Sequence, residues 1–179
     1  MRYGELFHLL HPGFFQAEGI RAMPPEWVFT ELVMDLRAGG PEGGSVPCPD
    51  GITFGAYSGD MTPLLAAVEQ VDKTWPQYFR EGGRYFCAFD GDRIAAFCCL
   101  DDMGTHQGLH IGGPGCVGTV PTYRRQGIGL RMVQLATETL RREGFDLSWI
   151  HCTHLAPWYM KLGYQPVLQW NSRGFLPDP

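Results

Sequence analysis

Arg124-Arg125-Gln126-Gly127-Ile128-Gly129 places two arginines and two glycines where an apolar segment ending in Pro121 gives way to a helical pattern beginning near Gly127. Glycines let a ligand approach the backbone, and a helix start presents unpaired N–H groups together with the positive end of the helix dipole. Arginines add charge suited to phosphate. The stretch therefore reads as a cradle for a polyanion, with the backbone from Arg125 to Leu130 supplying donors. The same glycine pair would also serve a helix packed closely on a sheet, so the motif alone leaves both readings open.

The spacing excludes some ligands. Met132, three residues past Gly129, breaks the dinucleotide fingerprint Gly-x-Gly-x-x-Gly, and nowhere does the chain read Gly-Lys-Ser/Thr, as a nucleoside triphosphate loop requires. Gly113-Pro114-Gly115-Cys116-Val117-Gly118 spells the dinucleotide pattern literally but enters a strand instead of opening a helix. His151-Cys152-x-His154 offers metal-ligand types, yet strand alternation sends His151 and Cys152 to opposite faces and no fourth ligand is near in sequence. No metal is expected.

The elements that must position the cradle follow from local pattern. Ile52 to Tyr57 reads as a strand; Thr62 caps a helix running to about Phe79, with Leu64, Leu65, Val68 and Val71 on one face. Arg84–Phe89 and Arg93–Leu100 flank Asp90-Gly91-Asp92, a hairpin signal. Residues 101–114 read as a loop, Cys116–Val120 as a strand, and 127–143 as a helix closed by Gly144. Asp146–Cys152 is the next strand, residues 155–162 a short helix that starts near His154 or Leu155 because Pro157 fits only its first turn, and Gln165–Trp170 a last strand. Residues 1–50, broken by prolines, read as an accessory arm in which Trp27–Leu36 is strand or helix.

Two motifs in order carry a resemblance. The approach Val117-Gly118-Thr119-Val120-Pro121-Thr122-Tyr123-Arg124 followed by Arg-x-x-Gly-x-Gly resembles the pyrophosphate-binding motif of GNAT-type N-acetyltransferases, and Ala156-Pro157-Trp158-Tyr159-Met160-Lys161-Leu162-Gly163-Tyr164 resembles that superfamily's closing signature. The likeness spans about residues 84–175, and more weakly 52–83. It implies an α+β fold, a mixed, mostly antiparallel twisted sheet flanked by helices, in a single domain with residues 51–179 as catalytic core and 1–50 as arm.

The resemblance also implies an activity: transfer of an acetyl group from acetyl-coenzyme A, as co-substrate, to a primary amine of a small molecule or peptide by direct attack. It assigns Arg124, Arg125, Gln126, Gly127, Ile128, Gly129 and Leu130 to the pyrophosphate, and the backbone of Thr119 and Val120 to the pantetheine arm and acetyl carbonyl. Tyr159 is the expected acid that protonates the departing thiolate, although a core aromatic is the plain alternative in so aromatic a segment. Where many relatives carry asparagine near the strand end, Cys152 stands here. For the general base, His106, His110, Asp101, Asp102 and His151 are candidates, and spacing selects none. A coenzyme A binding sensor without turnover and an acyltransferase for longer chains are the competing readings.

Composition sets the remaining bounds. The 179 residues, 44% hydrophobic, are enough for one domain that buries about 70% of its unfolded surface. The net charge of −5 argues against nucleic acid as the main partner. Of the six cysteines, Cys87, Cys98, Cys99, Cys116 and Cys152 fall in apolar strand-like runs where a reduced thiol behaves as a small hydrophobe, and no apolar run reaches the length of a signal core or a membrane span. A cytoplasmic protein, with no membrane partner and with a homodimer left open, is the expectation.

Overall fold

The computed structural model describes residues 2–41 and 44–177. The strands are β1 (Phe29–Asp35), β2 (Ile52–Ala56), β3 (Tyr85–Asp90), β4 (Arg93–His106), β5 (Leu109–Thr119), β6 (Leu147–Thr153), β7 (Gln165–Asn171) and β8 (Gly174–Phe175), and the α-helices are α1 (Tyr3–Leu10), α2 (Glu18–Arg21), α3 (Met61–Val71), α4 (Ile128–Arg142) and α5 (Ala156–Met160). One sheet holds them all in the order β2-β3-β4-β5-β6-β1-β7-β8. Its pairings are antiparallel except β5 with β6, which α4 joins as a crossover. The sheet is thus mixed and mostly antiparallel, flanked by helices. From β2 to β7 the elements follow the order read from the sequence.

Alternation along the strands sends side chains to two faces. Phe86, Ala88, Cys98, Leu32, Met34 and Ile150 meet α4 and α5 on one face, and α4 answers with Ile128, Met132, Val133, Ala136 and Leu140 at helical spacing. On the other face α3 covers Tyr85, Cys87, Phe97 and Cys99, while α1 covers Trp149, Val33 and Trp170 with Leu6 and Phe7. Gly144 ends α4 in the left-handed region (φ +86), and Phe145 N–H reaches back to the Leu140 carbonyl at 3.1 Å.

Three sequence expectations need correction. Residues 1–50 are not a mere appendage: β1 lies inside the sheet between β6 and β7 and is buried along six of its seven positions. A strand covered on both faces shows no alternation, which is why Trp27–Leu36 could not be told from a helix. Residues 101–114 are not a loop but the far end of a long hairpin, since β4 runs to His106 and β5 starts at Leu109. Finally, α3 stops at Val71, and its cap is Asp60, whose Oδ1 takes the Thr62 N–H at 2.9 Å. The Asp72 carboxylate accepts the Thr74 N–H at 2.7 Å and turns the chain into a separate 3₁₀ turn at Trp75–Tyr78.

Segment 44–46 is strapped to α4. Gln134 accepts the Val46 N–H at 3.2 Å and donates to the Gly44 carbonyl, so part of the N-terminal region lies along the helix that opens at Gly127.

Candidate active site

The ladder between β5 and β6 is recorded at Ile111↔Leu147 and Gly112↔Ser148, after which both strands run on without pairing to each other. Gly113 marks the last close approach, since a Cβ there would lie 1.9 Å from the Trp149 carbonyl oxygen. Cys116 on β5 and Cys152 on β6 then both adopt positive φ (+44 and +55), kinking the strands where they part. The split leads into a cleft of about 560 Å³.

One wall of the cleft is Val117, Gly118 and Thr119 at the end of β5; another is the loop and first turn of α4, from Arg124 to Leu130; a third is Leu155, Trp158 and Tyr159 around α5. Arg125 and Gly127 are left-handed (φ +62 and +79), which folds the loop into a concave turn of backbone. The first hydrogen bond of α4 is Arg131 N–H to the Gly127 carbonyl at 2.9 Å. Among the described residues, the N–H groups of Arg125, Gln126, Gly127, Ile128, Gly129 and Leu130 have no acceptor. The charged lining residues are Arg124, Arg125 and Lys161, all basic. Unpaired donors, a helix N-terminus and cationic side chains suit a pyrophosphate.

The glycines act differently from the sequence reading. A Cβ on Gly127 would lie 2.1 Å from the Pro47 carbonyl oxygen, and one on Gly129 would lie 2.4 Å from Thr119 Oγ1. Both hydrogens therefore point into protein, and the glycines bring strap, loop, helix and strand together. The ligand-facing property of this loop is its row of free donors. Arg124 Nε donates to the Thr119 carbonyl at 3.1 Å, which pins the guanidinium over the strand end. Gln126 turns back to the Thr122 carbonyl at 3.3 Å.

Val120 does not join the cleft. Its N–H donates to the Ala95 carbonyl at 3.0 Å and its side chain packs under α3, so it has no donor to offer an acetyl carbonyl. Val117 and Gly118, one turn of pleat earlier, line the cleft beside Thr119.

Tyr159 is 6% exposed and borders the cleft. Burial, with Tyr164, Cys98 and Cys116 adding to it, pushes its phenol above the ordinary value, so it is protonated at neutral pH. Among the described residues its hydroxyl has no hydrogen-bond partner, in contrast to the Tyr164 hydroxyl behind it, which pairs with Thr137 and Ser148 at 2.7 Å each. A buried phenol that is not anchored in the core and lies at a cleft is placed to give its proton to a bound group.

Of the base candidates, three lie at the wrong end of the sheet. His110 and His106 flank the β4–β5 turn, and Asp102 is tied to His110 Nε2 at 3.0 Å. His110 is seven residues before Val117, about 23 Å along a strand. Asp101 comes nearer, its carboxylate lying over Gly115. His151 is three residues beyond Ser148, the partner of Gly112, and so stands level with Gly115 across the split. The metal-ligand types of His151-Cys152-x-His154 do not converge: His154 Nδ1 bonds the Val28 carbonyl at 2.9 Å.

The sequence reading missed Glu31. It is fully buried in β1 and accepts N–H bonds from Trp149 Nε1 (2.6 Å), Trp170 Nε1 (2.7 Å), Cys152 (3.0 Å) and His151 Nδ1 (3.0 Å). Burial opposes its ionisation, but the bonds from His151, Trp170 and Cys152 outweigh it and hold the carboxyl below its ordinary value. A glutamate inside the apolar run Val28-Phe29-Thr30-Glu31-Leu32-Val33-Met34 was the available signal. His11, just past α1, stacks on His151 at 3.9 Å, and the nearest ligand atoms of His11, Glu31 and His151 lie within 4.8 Å of one another.

All six cysteines are free, and among the described residues no helix is long and apolar enough to cross a membrane.

Comparison with known proteins agrees with this geometry. Residues 81–166 match a family model described as an acetyltransferase (GNAT) domain. Among solved structures, a GCN5-related N-acetyltransferase from Kribbella flavida superposes with a TM-score of 0.58 at 21% identity, over 87% of this chain and 60% of that one. Another, from Sphaerobacter thermophilus, gives 0.62 at 17% identity over 83% and 51%. The glucosamine N-acetyltransferase region of a fungal multi-domain β-N-acetylglucosaminidase gives 0.63 at 20% identity over 81% of this chain and 20% of that one. The chain thus spans less than two thirds of the length of these relatives, and at such identities the likeness is one of fold. No curated protein sequence matches it. Residues 81–166 thus match an acetyltransferase (GNAT) domain, and the sheet that splits beside a helix N-terminus gives the chain the fold of these GNAT structures.

Proposed function

We propose that the protein is an acetyl-coenzyme A dependent N-acetyltransferase that acylates a primary amine of a small molecule or peptide by direct attack. The row of unpaired N–H groups from Arg125 to Leu130, beside Arg124 and Arg125 and opening on the same cleft as the Tyr159 hydroxyl, carries this reading. It joins an anion cradle to a proton donor within one cleft.

In this reading the loop and first turn of α4 bind the pyrophosphate, and the end of β5 holds the pantetheine arm along its unpaired edge. Acetyl-coenzyme A would supply an activated thioester there. Residues Val117 to Thr119 orient its carbonyl, Trp158 shields the cleft from water, and Tyr159 gives its proton to the departing sulfur.

A panel of amine acceptors assayed for release of free thiol from acetyl-coenzyme A tests the proposal. Turnover with at least one amine, and none without an acceptor, is the expected result. Binding of coenzyme A without turnover on any amine would replace the enzyme reading by that of a sensor, and absence of binding would remove both.

A further inference from the structure

The face of the sheet opposite α4 is covered in two pieces. The cluster under α3 reaches Cys116 on β5, and the cluster under α1 reaches Cys152 on β6, so the two meet at the split. Val71, the last residue of α3, also lines the cleft. The cleft therefore reaches the α3 side of the sheet as well as the donors of α4, and on this side of the split β6 presents His151, level with Gly115 on β5.

We propose that His151, oriented by Glu31, accepts the proton of the acceptor amine on this side of the split. The inference rests on the acetyltransferase reading above. Glu31 receives four N–H bonds on its two oxygens and acts only as acceptor, so His151 Nδ1 must carry the hydrogen it donates. Nε2 then keeps its lone pair. Nearly flat against the ring lies His11 (22° between planes), with Phe14 edge-on at 5.3 Å, which fixes its direction. The His151 side chain remains 28% exposed, so the ring is not sealed from solvent.

The electrostatics are those of a carboxylate backing an imidazole. Every other donor on Glu31 is a neutral N–H, so a proton taken up by His151 produces the cation beside a buried anion that has no other cationic partner among the described residues. The titratable groups that face the ring are Glu31 from β1, His11 from the turn after α1 and Cys152 on its own strand. His11 stays neutral near pH 7, because burial and His151 draw its pKa down to about 4 against the opposing pull of Glu31. Phe7 from α1, Phe14 and Trp170 complete the surround.

The step balances as follows. The acceptor ammonium gives one proton to His151 Nε2; the freed nitrogen forms its bond to the thioester carbonyl carbon; the C–S bond breaks as Tyr159 Oη protonates sulfur; and the second nitrogen proton restores Tyr159. His151 returns its proton to water. Glu31 is a positioning residue, since it touches only His151 and neighbouring N–H groups.

The test begins with the wild-type protein and a series of acceptor amines of different basicity. With an enzymic base, the acid limb of kcat/KM stays at one pH across the series; a limb that tracks each amine's own pKa overturns the proposal. H151N keeps an amide donor near the place of Nδ1 but has no base, and should lower kcat/KM for the acceptor by about 10²–10⁴-fold, erase the limb and leave the KM for acetyl-coenzyme A unchanged. E31Q should move the limb. D101N should retain it; a limb lost in D101N and kept in H151N would transfer the role to Asp101. A stoichiometric transition metal in the purified protein, with turnover lost to a chelator, would instead make His11, Glu31 and His151 ligands and overturn the proposal. A wild type with no turnover on any amine refutes the acetyltransferase reading itself, whereas wild-type turnover with unaltered H151N refutes only this assignment.

Discussion

Reversing the charge of Arg125 gives the most discriminating test of the anion cradle. Arg125 is exposed, already left-handed, and makes no side-chain hydrogen bond among the described residues, so glutamate can replace it without disturbing the fold. At about 6 Å in water a pair of unit charges interacts by about 0.7 kcal/mol. Swapping +1 for −1 opposite a pyrophosphate carrying about two charges changes the sum by about 2.8 kcal/mol, and a screening length of about 8 Å at physiological salt reduces this to about 1.3 kcal/mol. Affinity should therefore fall about tenfold. Coenzyme A at about a hundred times its Kd should stabilise the wild type by about 2.7 kcal/mol, a rise of about 7 °C in Tm for a domain of this size. At the same concentration the Arg125→Glu protein should gain about 1.4 kcal/mol, or about 4 °C, and the difference should shrink in 1 M salt. Thermal unfolding followed with and without ligand measures both. An undiminished shift in the variant, or a deficit insensitive to salt, would refute the electrostatic argument. Gly127→Glu is a poorer probe, because its Cβ would meet the Pro47 carbonyl at 2.1 Å and the loop itself would give way.

Tyr159→Phe should lower kcat about ten- to a hundredfold with coenzyme A affinity and Tm nearly unchanged, since the hydroxyl makes no core hydrogen bond; calorimetry and steady-state kinetics separate the two effects. Gly113→Ala should cost about 3 kcal/mol in denaturant unfolding, because a methyl there meets the Trp149 carbonyl. His11 has a folded-state pKa near 4 against 6.5 in the unfolded chain, so its contribution is complete above about pH 6.5 and is lost as pH falls toward 4. Discounted for partial exposure, the loss is about 1–2 kcal/mol, and His11→Phe should flatten stability curves measured across that interval. Deleting the chain through Leu36 should abolish cooperative unfolding, whereas a strictly accessory segment would leave it intact.

The sequence disclosed those parts of the fold whose signals are local. The turn at Gly91, the end of α4 at Gly144 and the start of α4 after Gly127 each depend on a few adjacent residues, and each is found where the pattern put it. What it hid depends on distant partners. β1 lacks alternation because both its faces are covered, and the hairpin ends of β4 and β5 are polar and glycine-rich because they project from the core. The site divides in the same way. Arg124 to Leu130 were legible as a motif, but Val120 was misjudged because the use of its N–H is fixed by Ala95, and Glu31 and His11 were missed because only the tertiary fold brings them to His151.

The position of β1 makes the sheet a structure assembled out of chain order. Glu31 bonds indoles that lie 118 and 139 positions further along, so the strand is made before both its neighbours and finds them only once the intervening chain is complete. Until then it is an unpaired apolar ribbon carrying a buried-type carboxylate, and β6 and β7 face an empty slot between them. Closure of so long a loop adds little to the equilibrium cost but delays the event. Insertion of Phe29–Asp35 is thus expected late in folding, and because it delivers Glu31 to His151, it would complete the sheet and the proposed proton acceptor in a single movement. The same slot, open while the strand is away, is where a β1 from a second molecule would fit, so conditions that slow folding should favour exchange of this strand between chains.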